Sequence, residues 1–116
     1  MTRPHYNLEA WKLAMTLVKN VYQATRSFPQ EEIYGLTAQM RRAAVSVPSN
    51  LAEGAARTGR KEFAQFLSVA KGSLSELETQ LLISADLGYL DGKHAIFELV
   101  EEVSRLLAGL HRSLSK

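Results

Sequence analysis

Apolar residues recur at alternating spacings of three and four residues along four stretches of the chain. This spacing places the apolar side chains on one face of an α-helix. The four patterns predict helices over residues 8–26, 30–56, 60–87 and 92–114. Their core stripes are, in order, Leu8, Trp11, Met15, Val18 and Tyr22; Ile33, Leu36, Met40, Ala43 and Val47; Phe63, Leu67, Ala70, Leu74, Leu77 and Leu81; and Ile96, Leu99, Val103, Leu106, Leu110 and Leu114.

Two of these helices carry additional apolar positions. Phe66 and Leu82 widen the stripe of the third helix. A second stripe adjoins the first stripe of the first helix, so we expect this helix to bury more than one face. The second stripe consists of Ala10, Ala14, Leu17, Val21 and Ala24.

Proline and glycine mark where the predicted helices begin, bend and end. Pro29 suits the first turn of the second helix, and residues 54–59 form the turn before the third. Gly88 is expected to close the third helix and Asp91 to cap the fourth. Pro48 removes a hydrogen bond to the carbonyl of Ala44, which costs on the order of 3 kcal/mol in a helix interior. We therefore predict that the second helix continues but is kinked near Pro48.

The length and the short connectors indicate the fold. A chain of 116 residues has the size of one domain, so residues 1–116 are expected to share one core. Four long helices with short connectors and no β-pattern predict an all-α, antiparallel up-down-up-down four-helix bundle. A glycine in a helix interior costs roughly 1 kcal/mol relative to alanine. Gly72 is therefore expected to admit a close neighbour, which is either the region around Pro48 or a second subunit.

Charge is distributed unevenly along the chain. The formal net charge is +2 and the isoelectric point is about 9.0. Residues 1–60 carry eight basic and four acidic side chains, whereas the remainder carries six basic and eight acidic ones. This asymmetry allows a basic face for nucleic acid, and it also allows one subunit's basic half to pair with another subunit's acidic half.

Features of secreted and membrane proteins are not found in the sequence. There is no cysteine, the N-terminal residues contain no apolar run, and no apolar stretch approaches the roughly 20 residues of a membrane span. We therefore expect a cytoplasmic protein without a membrane partner.

Motifs of enzymes and metal sites occur in the sequence only in incomplete form. A di-metal bundle needs Glu-x-x-His pairs, but His94 and His111 lack a glutamate three residues earlier, and His5 lies in the N-terminal tail. Residues 54–61 resemble a phosphate-binding loop, yet Arg60 stands where that loop has its lysine and Lys61 where it has a hydroxyl. We expect no enzymatic activity, no metal and no cofactor.

The least generic stretch of the chain runs from Gln39 to Arg60. Its small residues would let a partner helix approach and bring a glutamate within reach of an arginine, inside one subunit or between subunits; plain exposure to solvent is the alternative. Eight residues are expected to shape the bundle or its subunit contacts: Arg42, Ser46, Pro48, Asn50, Glu53, Gly54, Gly72 and Glu76. Six basic residues are candidates for contact with nucleic acid: Arg41, Arg57, Arg60, Lys61, Lys12 and Lys19.

Several motifs carry a resemblance to a known family. They are the segment from Gln39 to Gly54, the segment from Lys71 to Leu81, the Leu-x-x-Trp of the first helix, the Phe-Pro before the second, and the turn Leu87-Gly88-Tyr89. Over nearly its whole length the chain resembles the four-helix-bundle proteins first noticed as reading frames in intervening sequences of large-subunit ribosomal RNA genes. That family also includes the accessory variability protein of diversity-generating retroelements.

The resemblance implies a four-helix protomer, a ring-like homo-pentamer and no known enzymatic activity. For the retroelement members it also implies nucleic-acid binding and association with a reverse transcriptase. Two hypotheses follow for this chain. The first is a homo-oligomeric bundle that binds RNA or DNA backbone through a basic surface. The second is a protein-interaction scaffold whose arginines hold the oligomer together.

Overall fold

Four α-helices form the fold in the computed structural model, which describes residues 3–115. They are α1 (Glu9–Thr25), α2 (Leu36–Ala56), α3 (Arg60–Asp86) and α4 (Ile96–Leu114). Two short 3-10 turns, Pro4–Asn7 and Gln30–Glu32, precede α1 and α2. Residues 3–115 contain no β-strand, so the predicted all-α class with four helices is confirmed.

Two of the helices begin later than predicted. Pro29 has a non-helical ψ of 141°, and residues Gln30–Glu32 make only a 3-10 turn. Gly35 also has a non-helical ψ, of −113°, so α2 starts at Leu36 rather than near residue 30. The carboxylate of Asp91 accepts a hydrogen bond from the backbone of Lys93 (2.8 Å) instead of capping α4. Ala95 occupies the N-cap position of α4, and Nδ1 of the preceding His94 accepts a hydrogen bond from the amide of Ile96 at 3.0 Å.

Each helix packs against two others. α1 and α3 both contact α2 and α4. The four helices therefore surround one core, which runs along the 43 Å long axis of the molecule. Side chains in this core that have no exposed surface include Leu17, Met40, Leu51, Leu77 and Leu107. None of the helices within residues 3–115 is long and apolar enough to cross a membrane.

The core face of α1 differs from its predicted first stripe. Met15 is 46 % exposed and Tyr22 is 38 % exposed, so their assignment to the core is wrong. The adjoining stripe provides the buried face, where Ala14, Leu17 and Val21 have no exposed surface. Small side chains such as Ala14 let both α2 and α4 approach α1, which moves the buried face toward the second stripe.

Contacts between α2 and α3 show that these two helices are antiparallel. Ser46 bonds to Ser73 (2.8 Å between hydroxyl oxygens), and Met40 receives a hydrogen bond from Ser84 (3.4 Å), so residue numbers fall along α2 as they rise along α3. Pro48 is buried inside α2, which continues through it to Ala56. The helix contacts are consistent with the predicted up-down-up-down order. That full order and the kink near Pro48 remain predictions.

The connectors α1–α2 and α3–α4 meet at one end of the molecule. The rings of Phe28 and Tyr89 lie 5.4 Å apart. The carboxylate of Glu32 accepts from the Tyr89 hydroxyl at 3.0 Å and from the amide of Leu36 at 3.2 Å, so one side chain ties the start of α2 to the other connector. Gly88 closes α3 with a φ of +81°, in agreement with its predicted role as a C-terminal cap.

The Tyr89–Glu32 bond predicts a loss of stability at alkaline pH. The hydrogen bond to Glu32, together with burial and the negative charges of Glu32 and Glu31, raises the pKa of Tyr89 above its ordinary value of 10.0. Because the pKa of Tyr89 is higher in the folded chain than in the unfolded chain, the protonated tyrosine stabilises the fold fully below pH 10. This stabilisation is lost as the pH rises through the pKa that Tyr89 has in the folded chain.

We therefore expect the urea midpoint of the wild type to fall more steeply above pH 10 than that of Tyr89→Phe, which has no phenol to titrate. Urea titrations of both proteins between about pH 8 and 11 measure this difference, with pH 8 below the tyrosine titration as the reference. Parallel curves for the two proteins would contradict the prediction.

Candidate nucleic-acid interface

Basic side chains gather where the α2–α3 turn meets the C-terminal half of α4. The guanidinium of Arg60, at the start of α3, donates a hydrogen bond to the backbone carbonyl of Ser113 near the end of α4. The negative end of the α4 dipole also stabilises a cation at this place. This contact holds the two helix ends together. We call the surface formed by Arg57, Arg60, Lys61, Lys71 and Arg112 the basic end.

Arg57 and Lys61 are the exposed tip of the basic end. Arg57 ends α2 in extended conformation, and its guanidinium carbon lies 4.9 Å from the centre of the Phe66 ring. This cation–π contact holds the guanidinium against the ring, and Arg57 is exposed to solvent. Lys61 is exposed in the first turn of α3. A fixed planar donor beside a mobile point charge suits contact with phosphate oxygens.

Further along α3 and α4, Lys71 and His111 extend the basic end. The ammonium nitrogen of Lys71 lies 3.1 Å from Nδ1 of His111. Both side chains and Arg112 line an open groove of about 480 Å³. Sequence reasoning missed these three residues, because they are distant in sequence from Arg60. The signal that could have found them is the pairing of adjacent antiparallel helices, which brings the last turns of α4 beside the first turns of α3.

Four acidic residues lie beside the basic end without cancelling its charge, and two of them, Glu78 and Glu101, line a groove together with Lys71. Glu53 lies in the last turns of α2 and Glu62 in the first turn of α3, and both are exposed. Against them stand the five cationic side chains of the basic end. The surface therefore keeps a positive excess, although the net charge of the whole chain is only +2.

The other candidates for nucleic-acid contact lie apart from the basic end. Arg41 donates from Nε to the hydroxyl of buried Thr25 (3.0 Å), and its guanidinium carbon lies 4.5 Å from the centre of the Tyr22 ring. These contacts tie α2 to α1 and occupy part of the guanidinium. Lys12 pairs with Glu9 at 3.2 Å, and Lys19 is exposed on α1. Of the six candidates, the structure brings together Arg57, Arg60 and Lys61.

A second polar surface lies between α2 and α3. A groove of about 300 Å³ is lined by Gln39, Arg42, Ala43, Ser46, Ser73 and Glu76, and we call it the α2–α3 groove. Asn50 donates to the carbonyl and the hydroxyl of Ser46 (2.8 and 3.0 Å), and Ser46 bonds to Ser73. Ser46 therefore connects the two helices, and Asn50 of the same helix supports it; their role in shaping the bundle remains a prediction.

Arg42 forms no ion pair within the part of the chain that the structure describes. The ion pairs found in residues 3–115 are Lys12–Glu9 and Arg105–Glu101. The first alternative, a network between Arg42 and a glutamate of the same subunit, is therefore not formed within the described residues. Glu53 is exposed, and one carboxylate oxygen of Glu76 accepts from the side-chain amide of Gln80 at 3.2 Å.

The two helical glycines have opposite surroundings. A Cβ on Gly54 would lie 2.9 Å from both Phe63 and Phe66, so this glycine lets α2 and α3 come close. A Cβ on Gly72 would meet nothing within 4 Å. The region around Pro48 is therefore not the neighbour of Gly72, and that alternative is wrong. A neighbour from a second subunit remains a prediction.

Comparison with known proteins adds the family context. Residues 6–109 match the family model described as 23S rRNA-intervening sequence protein. The match covers all of α1, α2 and α3 and most of α4. A search of curated proteins finds no significant match.

Proposed function

Because the chain belongs to the 23S rRNA-intervening sequence protein family, we propose that it is a non-enzymatic, homo-oligomeric helical bundle that binds RNA or DNA backbone through its basic end. The observation that supports this proposal most is the contact between Arg60 and the end of α4, which gathers cationic side chains from two helices on one surface. In the homo-pentamer that the resemblance implies, this surface would be repeated five times, so weak phosphate contacts would reinforce one another.

The chemistry of the basic end favours contact with phosphate over readout of bases. Arg57 and Lys61 are exposed donors suited to phosphate oxygens. Phe66 lies beneath the Arg57 guanidinium and is half-buried, so it offers no free face on which a base could stack. We expect binding with little sequence preference and a steep dependence on salt, because each neutralised phosphate releases counterions.

The double variant Arg57→Glu/Lys61→Glu tests the proposal. We expect its affinity for a structured RNA to fall at least about tenfold at low salt. The slope of log affinity against log salt concentration should also become shallower, by the amount that corresponds to the loss of about two phosphate contacts. Titrations of labelled RNA at about 50 and 200 mM salt measure both quantities. Arg60 is left unchanged because it holds the end of α4.

A matched control reverses two charges at the opposite end of the molecule. Arg26 and Lys93 are exposed near the α1–α2 and α3–α4 connectors. Arg26→Glu/Lys93→Glu changes the net charge by the same amount, so it should bind RNA nearly as the wild type does if the basic end is the site. Equal losses in both variants would indicate a general charge effect, and no binding by the wild type at low salt would remove the proposal.

The scaffold hypothesis is supported by a different observation. Arg41 and Arg60 are already engaged within the protomer, which leaves fewer cations for nucleic acid. In addition, Ile33, Tyr34 and Leu87 are 51, 94 and 55 % exposed near the two connectors, a surface suited to another protein. Unchanged RNA binding in the basic-end variant, with the oligomer intact, would favour this second function.

A further inference from the structure

The α2–α3 groove presents two opposite charges that do not pair within the protomer. Arg42 lies on the α2 side and Glu76 on the α3 side, and both side chains line the groove and are exposed. No ion pair joins them in the described residues, since neither takes part in the two pairs found there. Each charge is therefore available to a neighbour.

A hydrogen bond from Gln80 orients the carboxylate of Glu76. The Gln80 side-chain amide donates to Oε2 of Glu76 at 3.2 Å, and Gln80 is only 5 % exposed. The other amide atom, Oε1 of Gln80, is buried without a hydrogen-bond partner. A buried acceptor without a donor is unfavourable, so this part of α3 is incompletely satisfied in the isolated protomer.

Exposed apolar residues flank Glu76 along the same face of α3. Val69 and Ile83 stand seven residues before and after Glu76, and they are 52 and 43 % exposed. A seven-residue spacing places side chains on one seam of a helix, where a second helix can dock. Gly72 lies one turn before Glu76, with nothing within 4 Å of a Cβ built on it, so the seam has room for a neighbouring helix.

Hydrogen bonds join α2 to α3 at the groove. The hydroxyls of Ser46 and Ser73 join α2 to α3 at 2.8 Å, and Asn50 donates to Ser46. Arg42 and Glu76 are therefore carried by two helices whose relative position is held by hydrogen bonds. Such preorganisation lowers the entropic cost of forming a specific contact across this face.

We infer that the α2–α3 groove is the contact surface for a second copy of this chain, with Arg42 of one copy paired with Glu76 of the next. Charge complementarity favours a copy of the chain over nucleic acid, because Glu76 would repel a phosphate backbone. Each copy would donate through Arg42 to one neighbour and accept through Glu76 from the other, a head-to-tail contact that forms a ring where the rotation between copies closes. The inference rests on the proposed self-association and names its surface.

Charge reversal and mixing test this pairing. Arg42→Glu and Glu76→Arg should each weaken self-association at least about tenfold, because each places like charges opposite one another. An equimolar mixture of the two variants should recover part of the association, because each contact between unlike copies again pairs opposite charges, whereas a ring of five keeps at least one contact between like copies. Sedimentation equilibrium and light scattering coupled to gel filtration measure the assembly in all three samples.

The controls separate the possible failures. Reversal of the exposed pair on α4, Glu101→Arg/Arg105→Glu, should leave assembly unchanged. Circular dichroism shows whether each variant folds, and the neutral variants Arg42→Gln and Glu76→Gln test the same contact with milder losses if a reversal prevents folding. An oligomeric wild type whose assembly survives both reversals would overturn this inference and leave self-association standing. A monomeric wild type would overturn both.

Discussion

Replacing Leu81 by alanine is expected to lower the free energy of unfolding by about 2–5 kcal/mol. Leu81 has no exposed surface and belongs to the core shared by the four helices. The truncation removes buried apolar contacts and leaves a cavity that the rigid packing around it fills only in part. Urea denaturation at one fixed protein concentration measures the change, since association would otherwise alter the apparent stability.

The neighbouring residue provides the matched control for this prediction. Leu82 is 53 % exposed, so the prediction that it widens the core stripe of α3 is wrong. Leu82→Ala makes the same chemical change on the same helix without opening a cavity. We expect it to cost less than about 1 kcal/mol. Similar losses in the two variants would contradict the placement of the core.

Gly54→Ala is expected to lower the free energy of unfolding by about 1–3 kcal/mol, although alanine is the better helix former. On propensity alone this change would stabilise α2 by roughly 1 kcal/mol. The added Cβ would lie 2.9 Å from Phe63 and Phe66 and 3.3 Å from the Phe63 backbone carbonyl. Because backbone and a Cβ are among the obstacles, α2 and α3 must move apart, and this cost exceeds the gain in propensity.

Gly72→Ala is the control with the opposite expected sign. Nothing lies within 4 Å of a Cβ at Gly72, and the residue is exposed in the middle of α3. In the isolated protomer, at a protein concentration below that of self-association, the same substitution should therefore raise the free energy of unfolding by about 0.4–1 kcal/mol. Denaturation of both variants in parallel checks the pair. A stabilised Gly54→Ala protein would show that α2 and α3 are less closely packed than the structure indicates.

The helices could be predicted from the sequence with greater accuracy than the faces they bury. Periodicity located all four helices and Gly88 at the end of α3, because 3.6-residue repeats and capping preferences are local properties. It could not decide between two adjoining stripes on α1, since the buried one depends on where α2 and α4 approach. The late start of α2 depends on the conformation of Gly35, which the apolar pattern does not reveal.

The candidate site was predicted in part. The sequence singled out the turn that carries Arg57, Arg60 and Lys61, because a run of cations between two helices is visible without a structure. It could not show that Arg41 bonds to Thr25 or that Arg112 lies in the groove beside Lys71. Those placements depend on contacts between residues far apart in the chain.

The sequence by itself determined the four helices, the single all-α class and the family resemblance, since these follow from local periodicity and from motifs in order along the chain. Only the tertiary structure decided which glycine allows two helices to pack closely, which leucine is buried and which cations share a surface. The physical reason is that packing contacts and charge interactions depend on distances between residues that can be far apart in the sequence. A helix fixes the directions of its side chains, but the neighbour that each side chain meets is chosen by the assembly of the bundle.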